Sequence, residues 1–344
     1  MLNEPDRQVD PAQLARWTPV AVDISGDAPM VQWADLSDER FSDPFFDQTV
    51  VRWATGPQPR PLIRTGFDVL AALDNEESLE PAGMIFHLSR CGSTLVSRLL
   101  GTVPGVVVIA EPAPLNSLLS LPPDHVDDAT LVTMVRLLVR ALGRCRHDDE
   151  RAVVLKCTSW HIRRRAVLAA AFPDTPWIWV QRDPSSVLTS LLTTRPGWLK
   201  SLEIDPARAA WLMGLDPTEV GAMTRVEFGA RVLGVMLESA AADPHGRLCV
   251  DYADLPTAVW EQVAAHFGLP VDAPAIERMT HEARLYSKDP APRLFDTSSG
   301  GQAGAATGPV IAADRRHPRP PVDAIARATQ RFAASQYRGL VACR

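Results

Sequence analysis

The stretch MIFHLSRCGSTLVSRLL, Met84 to Leu100, decides the fold. Met84, Ile85 and Phe86, with Leu88 just beyond His87, form a short apolar run that suits a buried strand of a parallel sheet. Ser89-Arg90-Cys91-Gly92-Ser93-Thr94 then turns the chain into apolar residues at helical spacing, Leu95, Val96, Leu99 and Leu100. A strand, a tight polar turn and a helix bring unpaired backbone N–H groups to the positive end of a helix dipole, where an anion binds. Arg90 adds a permanent cation with a planar fork that fits phosphate or sulfate oxygens. The turn reads as an anion cradle. It departs from the triphosphatase loop GxxxxGK[ST], because Ser93 follows Gly92 directly and no Lys stands there. On this segment alone, an ordinary turn with a chance Gly-Ser-Thr is an equal alternative.

Downstream the pattern alternates strand and helix. Val106–Ile109 reads as a second strand ending at Glu111, Ala152–Leu155 as a third ending at Lys156, and Trp177–Val180 as a fourth ending at Arg182. Leu248–Val250 reads as a fifth. Helices are expected over 131–142, 162–171 and 226–242, and one opening at Pro184 with Asp183 as its cap. The fold class is therefore α/β, a P-loop-like parallel sheet with helices on both faces. Ligands bind at the carboxyl edge of such sheets. There Ser89, Arg90, Glu111, Lys156 and Arg182 converge. Each alone is more simply a solvated or structural charge, so the convergence carries the inference.

Arg182 and Ser190 offer a second anion site. They lie eight residues apart along a helix, roughly 10 Å at the helical rise, and can share a phosphate only if it lies alongside that helix.

With 344 residues the chain can form one large domain or two smaller ones. A net charge of -6 argues against nucleic acid as a partner. The polar N-terminus and the lack of an apolar run near ~20 residues argue against export and a membrane span, so a cytoplasmic location is expected. The five scattered cysteines suggest neither a zinc site nor a disulfide framework. Residues 1–80 show no long periodic segment and read as a lead-in layer or lid, with a short helix and strand around Pro44–Val51. Residues 81–344 read as the main domain, ending in an irregular segment.

Taken together, these motifs resemble the P-loop sulfotransferases. Their 5′-phosphosulfate loop is similar to Arg90-Cys91-Gly92-Ser93-Thr94-Leu95, and their 3′-phosphate element to Arg182-Asp183-Pro184 with Ser190. A Tyr-x-Asp-Leu element matches Tyr252-Ala253-Asp254-Leu255, followed by Phe267-Gly268-Leu269. The likeness spans residues 84–270 and is nearest to the bacterial and tyrosylprotein-sulfotransferase-like branch. It implies 3′-phosphoadenosine-5′-phosphosulfate as co-substrate, no metal, and a small-molecule or peptide acceptor; a homodimer is left open. It also implies Glu111 as general base and Lys156 as a contact of the sulfonate. Cys91 replaces the usual Ser. The family's late glycine-rich loop is absent, and Lys288 in Tyr286-Ser287-Lys288-Asp289-Pro290 is assigned its donor contact. His87 reads as a satisfied core residue, and His161 as a weak substitute for the base. Trp198 and Trp211 suggest an apolar acceptor pocket. The alternatives are a P-loop small-molecule kinase, opposed by the missing Walker Lys, and a non-catalytic nucleotide-binding module.

Overall fold

The computed structural model describes residues 10–26, 28–57, 60–74, 77–122, 124–288 and 322–342. Among them the chain forms two sheets. Thr18–Asp23 (β1), Met30–Ala34 (β2) and Ile63–Gly66 (β3) make an antiparallel sheet in that order. Pro81–His87 (β4), Val106–Ala110 (β5), Ala152–Lys156 (β6), Trp177–Gln181 (β7) and Arg247–Asp251 (β8) make an all-parallel sheet ordered β5-β6-β4-β7-β8. The apolar runs predicted those five strands because a parallel sheet is covered on both faces, and the central strands are buried almost throughout.

The strand order positions the site. From β4 the chain moves two places to one side, to β5. From β6 and from β7 it moves the other way. With right-handed crossovers, the helix after β4 lies on one face and the helices after β6 and β7 on the opposite face. The carboxyl end of β4 is therefore a switch point, where a crevice opens. The turn Ser89–Gly92 and helix Ser93–Leu100 begin there.

The structure departs from the sequence expectations at several places. Thr49-Val50-Val51 is not a strand: it lies within helix Phe46–Ala54, whose buried Phe46, Thr49 and Trp53 fall on one face at helical spacing. The segment before residue 80 holds the whole antiparallel sheet. Its signal was present as period-two burial of Val20 and Val22, then of Val31 and Trp33. The indole N–H of Trp33 donates to Thr65 Oγ1 at 2.8 Å, tying β2 to β3. The C-terminal segment read as irregular holds helices Val322–Phe332 and Ala334–Ala342, and its residues 289–321 lie outside the described residues. In between, the expected helix 162–171 opens as a 3₁₀ segment, Ser159–Arg164, before Arg165–Ala171. No described helix is long and apolar enough to cross a membrane.

One buried hydrophobic cluster runs through both sheets and the C-terminal helices. Helix Val322–Phe332 packs on Arg225–Ala242, and the approach is close: a Cβ on Gly234 would fall 1.9 Å from the Phe332 carbonyl oxygen. A backbone oxygen has no rotamer with which to yield. Gly234→Ala is thus expected to lower stability in urea unfolding by roughly 1–3 kcal/mol, the range for overpacking. Unchanged stability would contradict this packing.

Candidate active site

The turn after β4 is held by the strand itself. His87 is buried, and its Nδ1 accepts the Ser89 backbone N–H at 3.1 Å and the Ser159 hydroxyl at 3.2 Å. Its proton therefore sits on Nε2, which donates to the Cys157 carbonyl at 3.0 Å. Burial keeps the ring below its usual pKa, against the pull of Glu111, so His87 is a neutral peg rather than a catalyst. The Cys91 thiol donates to the Val180 carbonyl at 3.1 Å, and burial pushes its pKa up to about 12. It is a packed anchor, not a reactive thiol.

Between these pegs the backbone enters left-handed conformations at Ser89 (φ 70°), Arg90 (φ 49°) and Gly92 (φ 86°). At Gly92 a side chain would be strained by that φ and would have to displace Leu255 Cδ1, which a Cβ would meet at 2.6 Å. Of the four non-glycine residues with positive φ among those described, Ser89, Arg90 and Glu111 line a single cavity; the fourth is Arg195. Such conformations cost about 1–3 kcal/mol each and gather at functional sites.

That cavity has a volume of about 940 Å³ and is walled by Ser89 to Leu95, Glu111, Arg182 and Ser190 together. The two anion sites read from sequence are thus joined. Ser190 does not turn to Arg182; its Oγ accepts from Arg90 Nε at 2.9 Å. The Arg182 guanidinium carbon lies over Tyr252, 4.3 Å from the ring centroid, while Asp183 caps the helix by accepting the Ser186 N–H at 2.8 Å. These residues stand over β7 and β8, on one side of the turn. The Lys288 side chain falls outside the described residues.

Over β5 and β6, on the other side, Glu111 is ion-paired with Lys156 and stands 3.5 Å from His87 Nε2. Burial would raise the Glu111 carboxyl, but the Lys156 ammonium and the His87 ring outweigh it and hold its pKa well below the usual carboxylate range. The Lys156 side chain is 0% exposed, lies 5.0 Å from the Phe45 ring centroid, and stands behind Glu111 rather than in the cavity wall. His161 is also fully buried. Its Nδ1 accepts the Thr158 N–H at 3.3 Å, capping the 3₁₀ segment, so it does not reach the cavity and cannot replace Glu111 there. Trp198 lines the cavity; Trp211 does not, and carries Arg164 on its ring at 5.1 Å.

Several residues were not singled out from the sequence. Helix Phe46–Ala54 brings Phe45, Asp47 and Gln48 to the cavity wall, and Asn116, Thr158, Trp160 and Arg208 complete that side. Asp47 Oδ1 accepts the Ala113 N–H at 3.3 Å, and Asn116 Oδ1 accepts the Thr158 hydroxyl at 2.6 Å. Burial, reinforced by the charge of Glu111, raises the Asp47 carboxyl to about 6 despite the Ala113 hydrogen bond. Nothing in the local sequence tied Asp47 to Glu111.

No family model and no curated protein matches the chain. Solved structures do. A sulfotransferase of Mycobacterium avium is 13% identical, with 64% of this chain and 72% of that one covered at a TM-score of 0.40. One of Mycobacterium tuberculosis H37Rv is 18% identical over 59% and 71%, with a TM-score of 0.38. A sulfotransferase domain from the Synechococcus PCC 7002 olefin synthase is 17% identical over 75% and 96%, with a TM-score of 0.36. Likeness at these values decides nothing about chemistry, which rests on the residues of this chain.

The raised pKa of Asp47 has a sign that can be checked. Because the folded value lies above the ordinary 3.8, its contribution to stability is full below about 4 and is lost as pH rises through about 6. Asp47→Asn keeps an oxygen for Ala113 and removes the charge. It is expected to raise stability above pH ~6, by at most about 1–3 kcal/mol, and to leave it unchanged below pH ~4. Chemical unfolding across that range reads the difference; a variant that loses stability at neutral pH would contradict the environment described.

Proposed function

We propose that the chain is a sulfotransferase that moves a sulfuryl group from 3′-phosphoadenosine-5′-phosphosulfate to a hydroxyl or amine. One observation supports this above the rest: the strained turn at the switch point and a second arginine beside it line one cavity. The donor carries anionic groups at two ends, and the cavity offers two cationic stations. In this reading the N–H groups of Ser89 to Thr94 and the Arg90 guanidinium hold the phosphosulfate. Arg182, held over the Tyr252 ring, meets the 3′-phosphate, and Ser190 keeps Arg90 aimed at the donor.

Sulfuryl transfer, like phosphoryl transfer, spreads charge over equatorial oxygens between an attacking and a leaving oxygen in line. Fixed N–H groups and guanidinium charges then do most of the catalysis, by positioning and by stabilising that charge. Glu111 and Lys156 act as a pair in this proposal. Lys156 sets the charge and orientation of Glu111, which faces the acceptor side of the cavity.

Adenosine 3′,5′-bisphosphate is expected to raise the melting temperature in proportion to the logarithm of its concentration, and ATP with magnesium to do much less. Micromolar ATP binding without a response to the bisphosphate would overturn the sulfotransferase reading. Arg182→Ala should weaken the bisphosphate by on the order of 1.5–3 kcal/mol, the worth of a charge-assisted bond, while sparing adenosine 5′-phosphosulfate, which lacks the 3′-phosphate. Calorimetry on both nucleotides decides it: equal losses would place Arg182 elsewhere on the donor.

A further inference from the structure

Two carboxylates, Asp47 and Glu111, line the cavity, and they are unlike. Glu111 is tied through one oxygen to Lys156 and approached by His87 at the same oxygen. Protonating it would break that ion pair and leave a fully buried ammonium uncompensated, which is costly. Asp47 has no ion-pair partner among the described residues, and its bonded oxygen, Oδ1, accepts only the Ala113 N–H. It arrives from the helix Phe46–Ala54, outside the strand–turn–helix core, beside Gln48, whose buried side-chain oxygen finds no hydrogen-bond partner among the described residues. Phe45 and Trp160 give this side of the cavity aromatic walls.

Resting on the sulfotransferase reading, we propose that Asp47, rather than Glu111, takes the proton of an aromatic alcohol that enters against Phe45 and Trp160. The step balances. The alcohol oxygen forms the new bond to sulfur, and the bond from sulfur to the 5′-phosphate oxygen breaks, with its electron pair leaving on the phosphate. The hydroxyl proton passes to the Asp47 carboxylate and from there to solvent. A base is most effective when its pKa lies near the working pH. Asp47, raised to about 6, meets that condition; Glu111, held far lower by its cation, does not. Glu111 then becomes a positioning residue that fixes Lys156 and keeps Asp47 basic by its nearby charge. The charge that acts on Asp47 is that of Glu111 on the end of β5; the other charged or titratable side chains of the cavity wall are His87, Arg90, Arg182, Arg208, Tyr252 and Arg284, with Lys156 behind Glu111.

The test compares two alcohols with one donor. Benzyl alcohol must lose a proton to react; 4-nitrophenol in mildly alkaline buffer is already largely ionised. Asp47→Asn is expected to lower turnover of benzyl alcohol by roughly 10²–10⁴-fold and to leave 4-nitrophenol nearly unchanged. Glu111→Gln, which disturbs Lys156, should lower both alike. Wild-type turnover of benzyl alcohol should fall as pH drops through about 6, the value at which the Asp47 carboxyl titrates. Carbon-13 NMR of the aspartate carboxyls should show one group titrating there that is missing from Asp47→Asn. Equal losses on the two alcohols, full benzyl alcohol turnover by Asp47→Asn, or no such titrating carboxyl would overturn the proposal. So would a wild type that binds adenosine 3′,5′-bisphosphate yet sulfates neither alcohol. Failure to bind the bisphosphate at all would instead overturn the sulfotransferase reading beneath it.

Discussion

The hydrogen bond from the Ser89 N–H to His87 Nδ1 is the constraint on which the site depends. It links the last residue of β4 to the first left-handed residue of the turn and selects the imidazole tautomer. That tautomer in turn bonds the carbonyl of Cys157 beyond β6. One neutral ring thus spans two neighbouring strand ends and the start of the cradle. Without such pegs, Ser89 and Arg90 would relax from a conformation that L-residues avoid, and the N–H groups would no longer converge. Burial is what keeps the ring neutral, so the same apolar core that stabilises the sheet also preserves the turn.

The second consequence is a division of labour across the sheet. Strand order places the cradle over β4, a guanidinium stacked on an aromatic ring over β7 and β8, and two carboxylates over β5 and β6. The antiparallel sheet and helix Phe46–Ala54 are not a remote appendage to this arrangement. The helix and the Phe45 before it add a wall, and with it a carboxylate whose environment lacks the cation that neutralises Glu111. Environments that push two like groups apart in pKa let them take different roles in one cavity.

How far the sequence foretold this depends on the range of each interaction. The five parallel strands were legible because burial on both faces demands continuous apolar runs, and the turn was legible because its residues are contiguous. Ser89, Arg90, Glu111, Lys156 and Arg182 could be gathered at the carboxyl edge of the sheet, and all but Lys156 line the cavity, as does Ser190. Pairings made across the fold were not legible. Ser190 turns to Arg90, Lys156 hides behind Glu111, and Asp47 meets Ala113, 66 residues away. The three-stranded sheet was missed because its strands are short and its alternation is interrupted, as at the irregular register between Pro19 and Ala21. The β-branched run Thr49-Val50-Val51 suggested a strand, yet tertiary burial of Phe46 and Trp53 on one helical face prevailed over that propensity.

The central claim is that the turn after β4 binds the phosphate next to the transferred group through its own backbone. A crystal structure with adenosine 3′,5′-bisphosphate tests it most directly. The account predicts 5′-phosphate oxygens within hydrogen-bond distance of the N–H groups at the start of helix Ser93–Leu100, with the 3′-phosphate near Arg182. A bisphosphate bound away from that turn, or bound with its 5′-phosphate held only by side chains, would contradict it.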